Sequence, residues 1–204
     1  MSAVEVLDGL DPIRKRPRMY VGELTDPNLG NRLLQEAMCG ALYASLEGAV
    51  STVRVRFLAG LEATIHDDGP GLSLDEHRSG KLLPEVLMTT LGACRAAKHR
   101  PDLAKGLCNA GLAVSNALSE RAFLEVARGG ALWRQDYARG KPTTSFRKIG
   151  STEGTGTSLG FRFDSDILPD LRLDPAQFRV LARELEAEYP VNVIVESVDN
   201  GGAG

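Results

Sequence analysis

The sequence predicts an α+β fold, in which helical and strand-like segments follow one another in mixed order. A strict alternation of strands and helices would indicate a doubly wound parallel sheet, and the chain does not show it. The chain has 204 residues, of which 43% are hydrophobic and 25% are charged. This length and composition are typical of one globular domain, and they exclude a fibre or a largely disordered chain.

Helical periodicity is clearest in residues 29–46, where apolar residues recur at the 3.6-residue spacing of an amphipathic helix. We expect further helices at 83–91, 107–118 and 175–189. The last of these begins with Pro175, and proline is favoured at the first position of a helix.

Strand patterns occupy much of the remaining chain. Residues 51–58 alternate apolar and polar side chains, and a turn at Gly60 leads into 63–66, so these segments predict a β-hairpin with one buried face. Further strands are predicted at 123–127, 131–137, 143–148, 157–163 and 191–198. Residues 92–105 are small and basic without a useful period, which predicts a surface loop.

The two ends of the chain differ from this pattern. Residues 1–22 have little periodicity and carry a basic run around Pro17, so we predict an arm that is an ordered loop more than a helix. The residues 200–204 are glycine-rich and predict a flexible tail. The predicted domain therefore covers 23–199.

Charge and cysteine usage limit the classes of partner. The net charge of -3 gives no overall attraction to DNA or to an anionic membrane. Cys39, Cys94 and Cys108 have no metal-ligand spacing, so we expect reduced thiols in a cytoplasmic protein. No apolar run approaches the roughly 18 residues of a membrane span, and no membrane partner is expected.

Four short segments contain residues able to bind a ligand, and each also has a purely structural interpretation. In 67–71, a carboxylate followed by glycines can accept a hydrogen bond from a ligand amino group, but the same residues form a common tight turn. Residues 155–157 and 105–111 can offer backbone amides to a ligand, or serve as plain loops. Glu36 on the first long helix is either a functional carboxylate or a solvated side chain.

The order of these segments resembles the ATP-binding domain of type IIA topoisomerase B subunits, which are members of the GHKL or Bergerat-fold family. The resemblance runs from Val4 to about residue 198, and its clearest part is the segment 6–22, which is similar to the arm of the gyrase family. It implies a two-layer sandwich, with a mixed, mostly antiparallel sheet and helices on one face.

The resemblance also implies positions for an adenine nucleotide, ATP or ADP. Asp67 matches the carboxylate that accepts from the adenine amino group, Thr157 its threonine partner, and Arg134 an arginine at the pocket mouth. The remaining implied nucleotide-binding residues are Gly69, Gly71, Ile65, Leu72, Gly106 and Gly111.

The phosphate side departs from the family pattern. Glu36 matches the catalytic glutamate, but Gly40 occupies the position of the asparagine that holds magnesium, so magnesium binding is expected to be absent or weak. The lid at 105–111 has lost glycines and a histidine. In the family the arm reaches a partner subunit, which assigns Arg14, Lys15, Arg16 and Tyr20 to a homodimer contact; an internal salt-bridged loop explains the basic run equally well.

Three functions remain in view. The first is a degenerate gyrase B-like domain that binds an adenine nucleotide weakly, hydrolyses little or none of it, and acts as a regulatory or dimerisation module. The second is a pseudoenzyme that serves as a protein-interaction or dimerisation scaffold with an empty pocket, its partner being a second copy or a topoisomerase-like protein. The third is the N-terminal ATPase piece of a genuine bacterial-type topoisomerase subunit.

Overall fold

The computed structural model describes residues 9–93 and 111–198, and its elements confirm the predicted α+β class. The described helices are α1 (Asp11–Lys15), α2 (Arg18–Val21), α3 (Leu29–Leu46), α4 (Leu83–Thr89), α5 (Leu112–Ala117) and α6 (Pro175–Glu188). The described strands are β1 (Thr52–Phe57), β2 (Glu62–Asp67), β3 (Ser119–Arg128), β4 (Ala131–Ala138), β5 (Lys141–Pro142), β6 (Arg147–Ser151), β7 (Gly156–Phe163) and β8 (Asn192–Ser197).

These strands form one 8-stranded sheet, in the order β5-β4-β3-β7-β2-β1-β8, with β6 also paired to β4. Every pairing is antiparallel except that of β1 with β8, which is parallel. The sheet is therefore mixed and mostly antiparallel, as predicted. The hairpin of β1 and β2 lies between β7 and β8 in this order. Because β2 pairs with β7 in the antiparallel direction, the end of β2 lies beside the start of β7.

One face of the sheet carries the core and the other is polar. In β1 the side chains of Val53, Val55 and Phe57 are buried, because alternate residues of a strand face the same side. On the opposite face, Arg54 forms an ion pair with Glu196 of β8. The helices cover the apolar face. Because side chains alternate along a strand, every second residue faces the helices and the others face the polar side.

The two long helices agree with the sequence analysis. Helix α3 has the predicted bounds and buries one face in the core. Helix α6 starts with Pro175 as expected, and the Asp174 side chain caps it by accepting hydrogen bonds from the amides of Ala176 and Gln177 at 2.9 and 3.0 Å. Among the described residues, no helix is long and apolar enough to cross a membrane.

The predicted ordered loop in the arm is wrong in its described part, where the chain forms the short helices α1 and α2. Proline fits the first turn of a helix, and Pro12 occupies that place in α1. Leu10 and Ile13 are fully packed in the core, so tertiary burial stabilises helices that have too few residues to show a period.

The strand predicted at 143–148 is also wrong, because two shorter strands, β5 and β6, replace it. The chain leaves the sheet at Thr144, whose hydroxyl accepts from the amide of Asp136 at 3.0 Å. The side chain of Gln135 donates to the Thr144 carbonyl at 3.0 Å. Polar side-chain bonds thus replace ladder bonds at this point.

Candidate functional site

Asp67 is the last residue of β2 and points to the helix side of the sheet. Its Oδ1 accepts hydrogen bonds from the amides of Gly69 and Thr157, at 3.0 and 3.3 Å. Burial raises the pKa of Asp67 above its ordinary value, although both amides act in the opposite direction. The carboxylate is therefore held in a fixed orientation at a partly desolvated position.

The neighbouring carboxylate has a different role. Asp68 points away and accepts from the amides of Ser51 and Thr52 at 2.8 and 2.9 Å, and from the Ser51 hydroxyl at 2.5 Å. Burial acts to raise its pKa, but these hydrogen bonds outweigh it and lower the pKa of Asp68 to about 2. Asp68 joins the start of β1 to the end of β2, so of these two neighbouring carboxylates Asp67 is the one that lines the site.

The turn after β2 packs closely against neighbouring strands. The amide of Leu72 donates to the Thr157 hydroxyl at 3.2 Å, which joins the end of the turn to β7. Gly71 has φ +75, and a Cβ there would lie 2.6 Å from the carbonyl oxygen of Ala127. This backbone conformation and this close approach both require glycine.

A cavity opens between this turn and the helices α3, α4 and α5. Of the residues implicated by the sequence, Asp67, Leu72 and Thr157 line it together with Glu36, Gly40 and Gly111. Gly69 and Gly71 lie beneath it in the turn rather than in its wall.

The rest of the wall is mostly apolar, and the sequence analysis did not identify it. The further lining residues are Ala37, Cys39, Leu87, Thr90, Gly92, Ala93, Leu112, Ala113 and Leu159. On a helix such residues have the same spacing as ordinary core residues, so no sequence signal separates them. An apolar slot with an oriented carboxylate, Asp67, at the end beside the turn suits a flat ring that carries an amino group.

Glu36 and Gly40 lie one helical turn apart on α3, and both face this cavity. The Glu36 Oε2 accepts a hydrogen bond from the amide of Gly111 at 3.1 Å, so the carboxylate holds the start of α5. At Gly40 an added Cβ would meet no atom within 4 Å.

Magnesium is usually held in proteins by one or two carboxylates together with substrate phosphates and water. Gly40 has no side-chain oxygen, and Glu36 already accepts from a backbone amide. In the part of the chain that the structure describes, no group of three or more acidic, histidine or cysteine side chains forms a metal site.

The structure does not place Arg134 at this cavity. Arg134 is opposite Glu125, and the same cross-strand row continues through Ser158 to His66. Asp67 belongs to the next row, and adjacent rows face opposite sides of a sheet. Arg134 therefore lies on the polar face, which corrects the expected position at the pocket mouth.

The contacts of Arg134 agree with that placement. Its guanidinium bonds to Glu125 and to Asp136, each at 2.6 Å, and lies 4.3 Å from the centroid of the Phe123 ring. Ile65 shares the helix side of β2 with Asp67, but it is buried in the core and does not line the cavity.

The described part of the arm packs against its own chain. Arg14 donates to Asp164 at 2.6 Å and to the carbonyl of Ala117 at 2.7 Å. This ion pair corresponds to the internal salt-bridged loop, which the sequence analysis gave as the alternative to a dimer contact for the basic run. Arg16 is exposed, and Tyr20 packs partly against the core.

The remaining expectations concern the cysteines, Gly106 and the two ends of the chain. Gly106, Cys94 and Cys108 lie outside the described residues, as do residues 1–8 and the tail. Cys39 is disulfide-bonded in the structure, which contradicts the expectation of three reduced thiols. Spacing in the sequence does not show which sulfur atoms the fold brings within bonding distance.

Comparison with known proteins gives related topoisomerase subunits. The chain is 35% identical over 188 residues to the B subunit of DNA gyrase from Clostridium acetobutylicum, and 35% identical over 188 residues to the B subunit of DNA topoisomerase 4 from Rickettsia typhi. It is 37% identical over 168 residues to the B subunit of DNA gyrase from Streptomyces coelicolor. A scan against models of protein families gives no match.

These alignments cover most of this chain and a minor part of each relative. They include 90%, 88% and 81% of the chain, but only 29%, 28% and 24% of the respective relatives. The chain is therefore a homologue of the B subunits of DNA gyrase and DNA topoisomerase 4, related to them over about nine-tenths of its own length.

Proposed function

We propose that the chain is a gyrase B-like nucleotide-binding domain that binds ATP or ADP weakly, with little or no hydrolysis, and acts as a regulatory or dimerisation module. The observation that carries the proposal is the Asp67 carboxylate, fixed by the amides of Gly69 and Thr157 in the wall of an apolar cavity.

Recognition of adenine follows from the chemistry of this wall. The amides of Gly69 and Thr157 both donate to Oδ1 of Asp67. Its second oxygen, Oδ2, can therefore accept a hydrogen bond from the amino group of adenine. A purine ring then lies between apolar side chains such as Leu72 and Leu159. Guanine presents a carbonyl oxygen where adenine has its amino group, so it places an acceptor against an acceptor.

Weak or absent hydrolysis follows from the other side of the cavity. Transfer of a phosphoryl group requires positive charge on the phosphate oxygens and an oriented water. Glu36 is engaged with the amide of Gly111, and Gly40 supplies no oxygen for a metal ion. These residues do not assemble the charge-neutralising apparatus that the reaction requires.

The test is titration of the full chain with ADP, ATP, a non-hydrolysable ATP analogue and GTP, by calorimetry and by fluorescence. Trp133 is the only tryptophan of the chain and lies in the same cross-strand row as Asp67 and Thr157. Three strand spacings place it about 14 Å from Asp67, which suits a reporter of binding. We expect adenine nucleotides to bind equally with Mg²⁺ or with a chelator, and GTP not to bind.

Two results would redirect the proposal. Binding of none of these ligands at millimolar concentration would favour the protein-interaction scaffold with an empty pocket. Magnesium-dependent release of phosphate would favour the third candidate, the N-terminal ATPase piece of a topoisomerase B subunit, which the homology to such subunits supports. Sedimentation with and without ADP tests the dimerisation role.

A further inference from the structure

Arg128, the last residue of β3, reaches the turn that follows β2. Its Nη1 donates to two successive carbonyl oxygens, those of Pro70 at 3.2 Å and Gly71 at 2.8 Å. No carboxylate of residues 9–93 and 111–198 forms an ion pair with this guanidinium. The partners of this exposed side chain among the described residues are therefore the two carbonyl oxygens of the turn.

The same turn is connected to two polar groups of the cavity, Asp67 and Thr157. On one side of the Arg128 contact, the amide of Gly69 bonds to Asp67 Oδ1 at 3.0 Å. On the other side, the amide of Leu72 bonds to the Thr157 hydroxyl at 3.2 Å. A movement of the turn therefore changes the orientation of the Asp67 carboxylate and of the Thr157 hydroxyl together.

The turn packs closely against the neighbouring strands, and Pro70 is its exposed residue. A Cβ at Gly71 would touch Ala127 and Gly156, so the inner side is closely packed. Pro70 is exposed and, as a proline, has no amide hydrogen to donate. The charged guanidinium links this exposed part of the turn to the end of β3, and hydrogen bonds that involve an ionised donor are stronger than neutral ones.

We propose that Arg128 is a positioning residue of the base pocket, which sets the affinity for adenine by holding the turn at residues 69–72 against the end of β3. This inference rests on the proposed function. Arg128 acts through Asp67 and Thr157 and does not contact the phosphates, so it affects nucleosides and nucleotides alike.

The variants Arg128→Ala and Arg128→Lys test this role, with Arg121→Ala as the matched control. Arg121 lies on the same strand, is 76% exposed, and its ion pair with Glu120 is long, at 3.9 Å. Calorimetry with ADP and with adenosine gives the affinities. Thermal melting gives the stability, and amide hydrogen exchange at Gly69 and Leu72 gives the order of the turn without any ligand.

We expect Arg128→Ala to weaken binding of ADP and adenosine by about tenfold each, the scale of one charge-assisted hydrogen bond. Arg128→Lys should fall between it and the unaltered protein, because an ammonium can still donate to one carbonyl. Exchange at Gly69 and Leu72 should become faster in Arg128→Ala, with thermal melting close to that of Arg121→Ala.

Three results would overturn the inference. The first is ADP binding by Arg128→Ala within twofold of the unaltered protein, and the second is an equal loss in Arg121→Ala. The third is a loss for ADP but not for adenosine, which would make Arg128 a phosphate ligand. If the unaltered protein binds neither ligand, the proposed function fails by itself, and unchanged exchange at Gly69 and Leu72 in Arg128→Ala would then refute the inference separately.

Discussion

Replacement of Asp67 by asparagine separates the binding role of this residue from its effect on stability. The amide oxygen of the new side chain is able to keep the hydrogen bonds from the amides of Gly69 and Thr157, because it accepts as a carboxylate oxygen does. The second carboxylate oxygen becomes an NH₂ group. The variant Asp67→Asn therefore retains the local fold and changes only the atom offered to the base.

The expected loss of affinity is large. A hydrogen bond to a charged group contributes about 1.5–3 kcal/mol, and two donors left facing each other cost about 1–3 kcal/mol more. The total of about 3 kcal/mol or more corresponds to about a hundredfold or greater rise in the dissociation constant for ADP. Calorimetry and the fluorescence of Trp133 measure it.

The stability of the unliganded protein should change in the opposite direction. The pKa of Asp67 is higher in the folded protein than its unfolded value of 3.8. Protonated Asp67 therefore stabilises the fold below pH 3.8, and this stabilisation is lost as the pH rises through the folded-state pKa. At neutral pH the buried charge is thus a cost, which asparagine removes. Asp67→Asn should unfold at an equal or higher denaturant concentration than the unaltered protein.

Asp68→Asn is the matched control, because its carboxylate bonds to Ser51 and Thr52 and not to the cavity. Its lowered pKa, about 2 against 3.8, gives stability that is present above 3.8 and lost as the pH falls toward 2. Solvent exposure reduces the benefit at neutral pH to about 1 kcal/mol. ADP affinity should be unchanged; an Asp67→Asn variant that binds ADP within threefold of the unaltered protein would refute the reasoning.

Three further changes test the rest of the structure. Gly40→Asn should fold normally, since its Cβ meets no atom within 4 Å, and should make ADP binding sensitive to Mg²⁺ without giving measurable phosphate release. Rapid hydrolysis of ATP by this variant would contradict the inference that the altered lid also prevents the reaction. Gly71→Ala should lower the free energy of unfolding by about 2 kcal/mol or more, because of its positive φ and the contact with the Ala127 carbonyl; denaturant titration with an unaffected midpoint would oppose this. Arg14→Leu should cost about 1.5–3 kcal/mol, because the buried Asp164 loses its 2.6 Å charge-assisted hydrogen bond and keeps only the longer contact with Arg139 at 3.7 Å. The loss should be equal at low and high protein concentration, whereas a concentration-dependent loss would indicate a dimer contact.

Local sequence determined the long elements and the place of Asp67 at the end of a strand. Periodicity in residues 29–46 is sufficient for α3 because eighteen residues bury one continuous face. The same holds for the hairpin of β1 and β2, whose alternation places Asp67 at a strand end on the buried side. The motif at 67–71 and the resemblance built on it agree with the homology to topoisomerase B subunits.

The tertiary structure decided which side each candidate residue faces and which partner it has. Arg134 and Asp67 lie on opposite faces because the register of four strands, which no local pattern records, sets them in adjacent rows. Arg14 became internal through Asp164, 150 residues away in the chain. Arg128 likewise donates hydrogen bonds to the carbonyls of Pro70 and Gly71, which are far from it in the sequence. The sequence determines which chemical groups are present, but long-range packing determines which of them meet, since that depends on contacts whose residues are far apart in the chain.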